Sequence, residues 1–174
     1  LQNEAHITGN PWRDKRIEKA SNVGDTRRAL TVDELRRLCK GLSGELRTLF
    51  AVGMYTGMRL GDAALLNWKQ VDMTRREINF TPHKTEHAHR EIIAVPLHPE
   101  LFAILGETDP AKRHGFIMPD TAAGYVRSHS RIVHRIQDAF ARAGIETSRE
   151  VEGRKRRVVD VGFHSLRHSF VSFA

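Results

Sequence analysis

The sequence predicts a mainly α-helical domain carrying one small antiparallel β-sheet, an α+β fold. Three observations carry that expectation. Apolar residues recur at helical spacing through most of residues 31–143 and again after Phe163. Two extended runs interrupt them, Glu77–Thr81 and Arg90–Val95, bounded by Pro82 and Pro96 and close enough to pair as a hairpin. The chain has 174 residues, 40% of them apolar, which suits one domain with a real core.

Residues 1–29 are polar and aperiodic and read as an arm or linker, with Trp12 in Asn10-Pro11-Trp12 as its large apolar anchor. The domain proper then spans 30–174. Its first helix opens at Thr31-Val32-Asp33-Glu34, where a threonine followed three residues later by a glutamate forms a capping box. Leu35, Leu38 and Leu42 follow at helical spacing, and Gly41 and Gly44 mark the end. A second helix over about 45–56 carries Leu46, Leu49, Phe50 and Met54, enough apolar surface to be central, and Gly57 stops it. A short helix with Ala63, Leu65 and Leu66 precedes the two extended runs, which are joined by eight polar residues. Pro99 suits the first position of a helix over about 99–105, Asp109-Pro110 a turn, and Phe116-Ile117-Met118 a short extended piece. The longest helix is expected over 122–143, with Val126, Ile132, Val133, Ile136, Ala139 and Phe140 as its stripe and Gly144 as its stop. A charged stretch over 145–161, with a turn at Glu152-Gly153, leads to a last helix from Phe163, whose Leu166, Phe170 and Val171 lie on one side.

Composition narrows the function classes. A single cysteine, Cys39, excludes an internal disulfide framework and an all-cysteine zinc site. No apolar run reaches the ~18 residues a membrane span needs, and Leu1-Gln2-Asn3-Glu4 is not a signal peptide. A basic, cytoplasmic-type protein without a membrane partner is expected. The chain does not begin with Met, which points to a piece of a longer protein. Lys and Arg number 28 against 21 Asp and Glu, a net charge of +7 and a pI near 10.1, so a polyanion is the favoured partner.

Four basic residues stand out by context. Arg59 follows the break after the second helix, Lys84 sits in the hairpin loop, and His164 and Arg167 lie three apart on one face of the last helix, near its positive end. Together they suit phosphodiester chemistry. Attack at phosphorus builds negative charge on the non-bridging oxygens, which two guanidinium forks can hold bidentately. A lysine can protonate the departing sugar oxygen, and a histidine can handle the proton of the nucleophile. Each residue alone has a plainer reading. An arginine after a helix pairs with its last carbonyls, a loop lysine is solvated, His164 caps its helix, and Arg167 pairs with Asp160. The decision therefore rests on the joint pattern. Arg154-Lys155-Arg156-Arg157 is either a solvated turn or a phosphate contact. His83, His87 and His89 lack a nearby cysteine and His164 and His168 lack the adjacent glutamate of H-E-x-x-H, so no metal site is expected.

The joint pattern resembles the catalytic domain of the tyrosine recombinases, the phage-integrase family. It consists of Thr56-Gly57-Met58-Arg59-Leu60-Gly61-Asp62 with Leu65 and Trp68, then Lys84 between two strands, then His164-Ser165-Leu166-Arg167-His168-Ser169-Phe170. The opening Leu30-Thr31-Val32-Asp33-Glu34-Leu35 is similar to the start of that domain, and Asn10-Pro11-Trp12 to the joint after the family's N-terminal DNA-embracing domain. The resemblance implies that Arg59 and Arg167 clamp the scissile phosphate, that Lys84 protonates the leaving 5′-oxygen, and that His164 assists proton transfer. It assigns supporting roles to Asp62 and His168. It also implies double-stranded DNA as substrate, a 3′-phosphotyrosine intermediate, no cofactor, and assembly with other recombinase subunits, as a tetramer, on DNA. One departure is plain: the family's tyrosine follows the H-x-x-R box, whereas Tyr55 and Tyr125 both precede it. The chain is therefore expected to lack the nucleophile and not to cut DNA alone. A non-cutting DNA-binding module is the alternative reading, and a metal-dependent nuclease a more distant one.

Overall fold

A computed structural model describes residues 27–82, 92–152 and 157–173. The capping box at the start of α1 (Val32–Lys40) forms as expected. Thr31 Oγ1 accepts from the Glu34 amide at 3.2 Å, and Glu34 Oε2 accepts from the Thr31 amide at 2.8 Å. The same carboxylate receives a two-pronged contact from Arg28, whose Nη1 and Nη2 donate at 2.8 and 2.6 Å. That guanidinium, with help from the Thr31 amide, holds the Glu34 carboxyl down at about 2, against an ordinary 4.5, although burial pulls the other way. A carboxyl whose folded value is depressed stabilises the fold above its unfolded value and loses that contribution as pH falls towards the folded one. Denaturant midpoints of the wild type should therefore decline between about pH 4.5 and about pH 2, and Arg28→Ala should flatten that decline and cost about 1–2 kcal/mol at neutral pH. A wild-type decline unaltered by Arg28→Ala would reject the assignment.

Helix α2 (Gly44–Thr56) runs through the centre of the fold, with Leu49, Phe50, Ala51, Val52 and Gly53 all buried. Gly44, expected to close the first helix, opens the second at φ +55°. The ring of Phe50 meets Phe140 and Phe163 edge-on, with centroids 5.4 and 6.2 Å apart, so α2 joins the later helices in one core. Gly57 stops α2 in the left-handed conformation, φ +63°, and α3 (Leu60–Ala64) begins three residues later. A single 3-10 turn at Trp68–Gln70 leads into an antiparallel sheet of β1 (Val71–Asp72), β2 (Glu77–Phe80) and β3 (Ile93–Pro96), in that order. Pairing runs from Glu77 opposite Pro96 to Phe80 opposite Ile93. The expected hairpin is thus present, while β1 went unforeseen. Two residues have no periodicity, and Val71 becomes a strand only by pairing with Ile78.

Helix α4 (Pro99–Gly106) starts on Pro99 as expected, and Asp109-Pro110 opens a second 3-10 turn, Pro110–Lys112. Phe116 forms an isolated bridge with Asn67. The single helix expected over 122–143 is two, α5 (Pro119–Arg127) and α6 (His129–Arg142). Ser128 breaks it with an extended backbone, φ −160° and ψ 95°. Gly124 leaves room for the reversal, because a Cβ there would stand 3.1 Å from Ile132 Cδ1. Val126, assigned to the apolar stripe, is consequently 75% exposed. The charged stretch after α6 contains another unforeseen pair, β4 (Ser148–Arg149) and β5 (Val158–Val159). The last helix, α7 (Phe163–Phe173), buries Phe163, Ser165, Leu166 and Ser169, whereas Val171, expected on one side with Leu166, is 70% exposed. Among the described residues no helix is long and apolar enough to cross a membrane. The arm before residue 27, with Trp12, the hairpin loop at 83–91 and Gly153 of the expected turn lie outside the described residues.

Candidate functional site

The site is assembled where α7 lies across the C-terminal end of α2. Close approach depends on Gly53, since a Cβ there would fall 2.7 Å from Phe163 Cζ and 2.9 Å from Leu166 Cδ1. One turn later Arg167 reaches back, and its Nη1 donates to the Gly57 carbonyl oxygen at 2.8 Å. The Phe170 ring covers the same glycine. These contacts bring Arg167 beside Arg59, which follows Gly57 by two residues and occupies the cap position of α3. The carbonyl that closes α2 is thus engaged by Arg167, 110 residues away in sequence, and not by the neighbouring Arg59. Asp160, its suggested acidic partner, instead faces Arg28 at 3.8 Å and Arg149 at 3.5 Å.

Arg59, Asp62 and Arg167 line one cleft of about 640 Å³, whose apolar wall includes Phe80, Pro82, Val95 and Phe170. Pro82 and Ile93 also line it. Lys84 itself lies outside the described residues, as do Arg154, Lys155 and Arg156 and the loop histidines His83, His87 and His89. Arg157 is described, and its bonds serve the β4–β5 hairpin: Nε and Nη2 donate to Ser148 Oγ and O at 3.0 and 2.7 Å.

His164, on the first turn of α7, is half-buried and meets the His168 ring edge-on at 4.8 Å. Burial, followed by the charges of His168, Arg27, Arg167 and Arg59, pushes its pKa down. Among the described residues the guanidinium groups of Arg27, Arg167 and Arg59 place positive charge around this imidazole. His164 is therefore neutral near pH 7, able to take a proton, in a positive field that an anion would relieve. The sequence reading missed Arg27. Its signal was faint, a second arginine beside Arg28 at the end of a polar arm.

The two tyrosines are placed elsewhere. Tyr55 stacks on His98, with centroids 4.2 Å apart and planes 8° from parallel, and Tyr125 packs its hydroxyl against Gly61 and its ring edge against His129. Among the described residues no group of three or more His, Cys, Asp or Glu side chains gathers as metal ligands would.

Residues 28–172 match the sequence profile of the phage integrase family. The chain belongs to that family. Among solved structures, the phage-integrase chain resembles the XerA recombinase, with TM-score 0.59, 22% identity, and coverage of 85% of this chain and 49% of that one. The catalytic domain of bacteriophage HP1 integrase has TM-score 0.57 and 25% identity over 85% of this chain and 71% of that one. Lambda integrase residues 75–356 bound to DNA give TM-score 0.50 and 18% identity over 84% and 51%. The fold is therefore that of the tyrosine-recombinase catalytic domains, and this phage-integrase chain spans about half the length of the XerA protein. No curated protein sequence matches it.

Proposed function

We propose that this chain is the catalytic region of a site-specific DNA recombinase that cuts and rejoins duplex DNA through a 3′-phosphotyrosine. The observation that carries this is that Arg59 and Arg167, brought together from distant parts of the chain, line one cleft, with His164 one turn from Arg167 on the same helix. Membership in the phage integrase family, and a lambda integrase relative solved on DNA, support duplex DNA as the anion.

In this reading the Arg59 and Arg167 forks hold the non-bridging oxygens of the scissile phosphate and gain strength as the phosphorus centre becomes more negative. A tyrosine oxygen attacks phosphorus, the bond to the 5′-oxygen breaks, and Lys84 gives that oxygen its proton. His164, neutral at rest, takes the proton from the attacking hydroxyl. Asp62 and His168 support the arginine and histidine they neighbour, and Arg154–Arg157 add backbone phosphate contacts. The phosphotyrosine conserves the energy of the broken bond, so no cofactor is called on for rejoining. Both tyrosines of the sequence precede the H-x-x-R box, which supports an attacking tyrosine supplied from outside residues 1–174. Residues 1–29 act as the arm that follows an N-terminal DNA-binding domain, and the working form is a cytoplasmic tetramer of subunits on DNA.

The test is a salt titration of duplex binding by the chain. Affinity should fall steeply with salt, and Arg59→Ala and Arg167→Ala should each reduce the slope of log K against log salt by about 0.9. Absence of salt-dependent binding, or strand scission that a chelator abolishes, would overturn the reading, the second outcome in favour of a metal-dependent nuclease. Covalent attachment to DNA on adding a tyrosine-bearing segment separates the recombinase from a non-cutting binding module.

A further inference from the structure

The two adjacent arginines that lead into α1 have opposite surroundings. Arg28 is neutralised: its fork grips Glu34, its Nε lies 3.8 Å from Asp160, and its backbone amide donates to the Asp160 carbonyl at 3.0 Å. Two residues on, Leu30 is buried and its amide donates to Ser169 Oγ of α7 at 2.8 Å. These bonds pin residues 28–30 along the helix that carries His164 and Arg167.

Arg27 is the next residue outward, and its guanidinium lies over Gly162, just before α7. A Cβ at Gly162 would stand 3.6–3.7 Å from Arg27 Cζ, Nε and Nη1. The fork is thereby held two residues from His164, and its charge acts on that imidazole alongside those of His168, Arg167 and Arg59. Three guanidinium groups and the His168 imidazole thus act on His164, and among the described residues no acid is resolved beside them. Like charges gathered this way repel, and an anion placed among them removes that penalty. Arg27 is exposed, so its donors are open to a ligand larger than the cleft.

We propose that Arg27 is a phosphate-contacting residue of this site, delivered by the segment entering α1, which it couples to the catalytic helix. The proposal rests on the DNA reading above and deepens it. A DNA backbone offers phosphates on either side of the one being cut, and Arg27, next to Gly162 rather than in the Gly57 loop, suits one of those neighbours. Its part is positioning: it holds the duplex in register over Arg59 and Arg167, and its charge adds to the burial that lowers the pKa of His164.

Arg27→Gln and Arg27→Lys in the chain test this, with Arg47→Gln as control because Arg47 is engaged by Glu107 at the α2–α4 contact. Arg27→Gln should lower the slope of log K against log salt for a short duplex by about 0.9, Arg27→Lys should restore it, and Arg47→Gln should leave it unchanged. In DNA-free protein, the His164 ring followed by NMR should titrate at higher pH in Arg27→Gln, a shift that a merely structural role would not produce. An unchanged slope in Arg27→Gln overturns the proposal. If the wild type does not bind duplex at all, the DNA reading fails, and inorganic phosphate titrated against the His164 resonances decides the rest. Equal phosphate affinity in wild type and Arg27→Gln would then overturn the assignment of Arg27, and weaker affinity in the variant would sustain it.

Discussion

Arg167→Ala will reduce DNA cleavage by at least ~10²-fold in a protein that carries these residues together with an attacking tyrosine, the usual scale for losing one donor to a transition state. The expectation follows from its placement. Arg167 lines the cleft and acts on His164, yet one of its five donor hydrogens is engaged, through Nη1, by the Gly57 carbonyl. That bond aims the guanidinium and leaves its other donors for phosphate oxygens. Arg167→Lys keeps the charge and loses the planar fork, so it should recover most of the salt-dependent binding and little of the cleavage. Stability should fall by only about 1 kcal/mol, the net value of one such hydrogen bond. Cleavage within threefold or so of the parent by Arg167→Ala would remove this residue from the proposed site.

Gly57→Ala will cost about 2–4 kcal/mol of stability. Two penalties coincide there. The backbone is left-handed at φ +63°, and the added Cβ would lie 2.8 Å from Phe170 Cδ1. Gly115 separates them, because it is also left-handed, φ +67°, with nothing within 4 Å of its Cβ position. Gly115→Ala should therefore show the backbone penalty alone, about 1–2 kcal/mol. Urea midpoints of the two variants give the difference, and equal losses would mean that Phe170 moves aside freely. Because the Gly57 carbonyl aims Arg167, any displacement of this turn should also weaken duplex binding.

Much of the fold was legible in local chemistry. The capping box at Thr31, the proline at the start of α4 and the stop at Gly57 each involve residues within four positions of one another, so the sequence contains the whole interaction. What escaped was decided by distant partners. β1, β4 and β5 are two residues long and exist through pairing rather than pattern. The α5–α6 break rests on one extended serine and on the room at Gly124, neither of which alters the helical spacing of apolar residues around them. Val126 and Val171 then face solvent, while Ser165 and Ser169 turn inward, where Ser169 ties Leu30 to the helix.

By itself the sequence determined the helix starts and stops, the excess of positive charge, and the fact that His164 and Arg167 share a face three residues apart. These are properties of neighbours along the chain, governed by backbone geometry and side-chain spacing. Only the tertiary structure decided that Arg27, Arg59 and Arg167 act on one imidazole, that Asp160 serves Arg28 and Arg149 rather than Arg167, and that Gly57 supplies the carbonyl that aims a guanidinium. The reason is packing. α7 can cross α2 this closely because Gly53 has no side chain, and that contact gathers charges from opposite ends of the chain into one field.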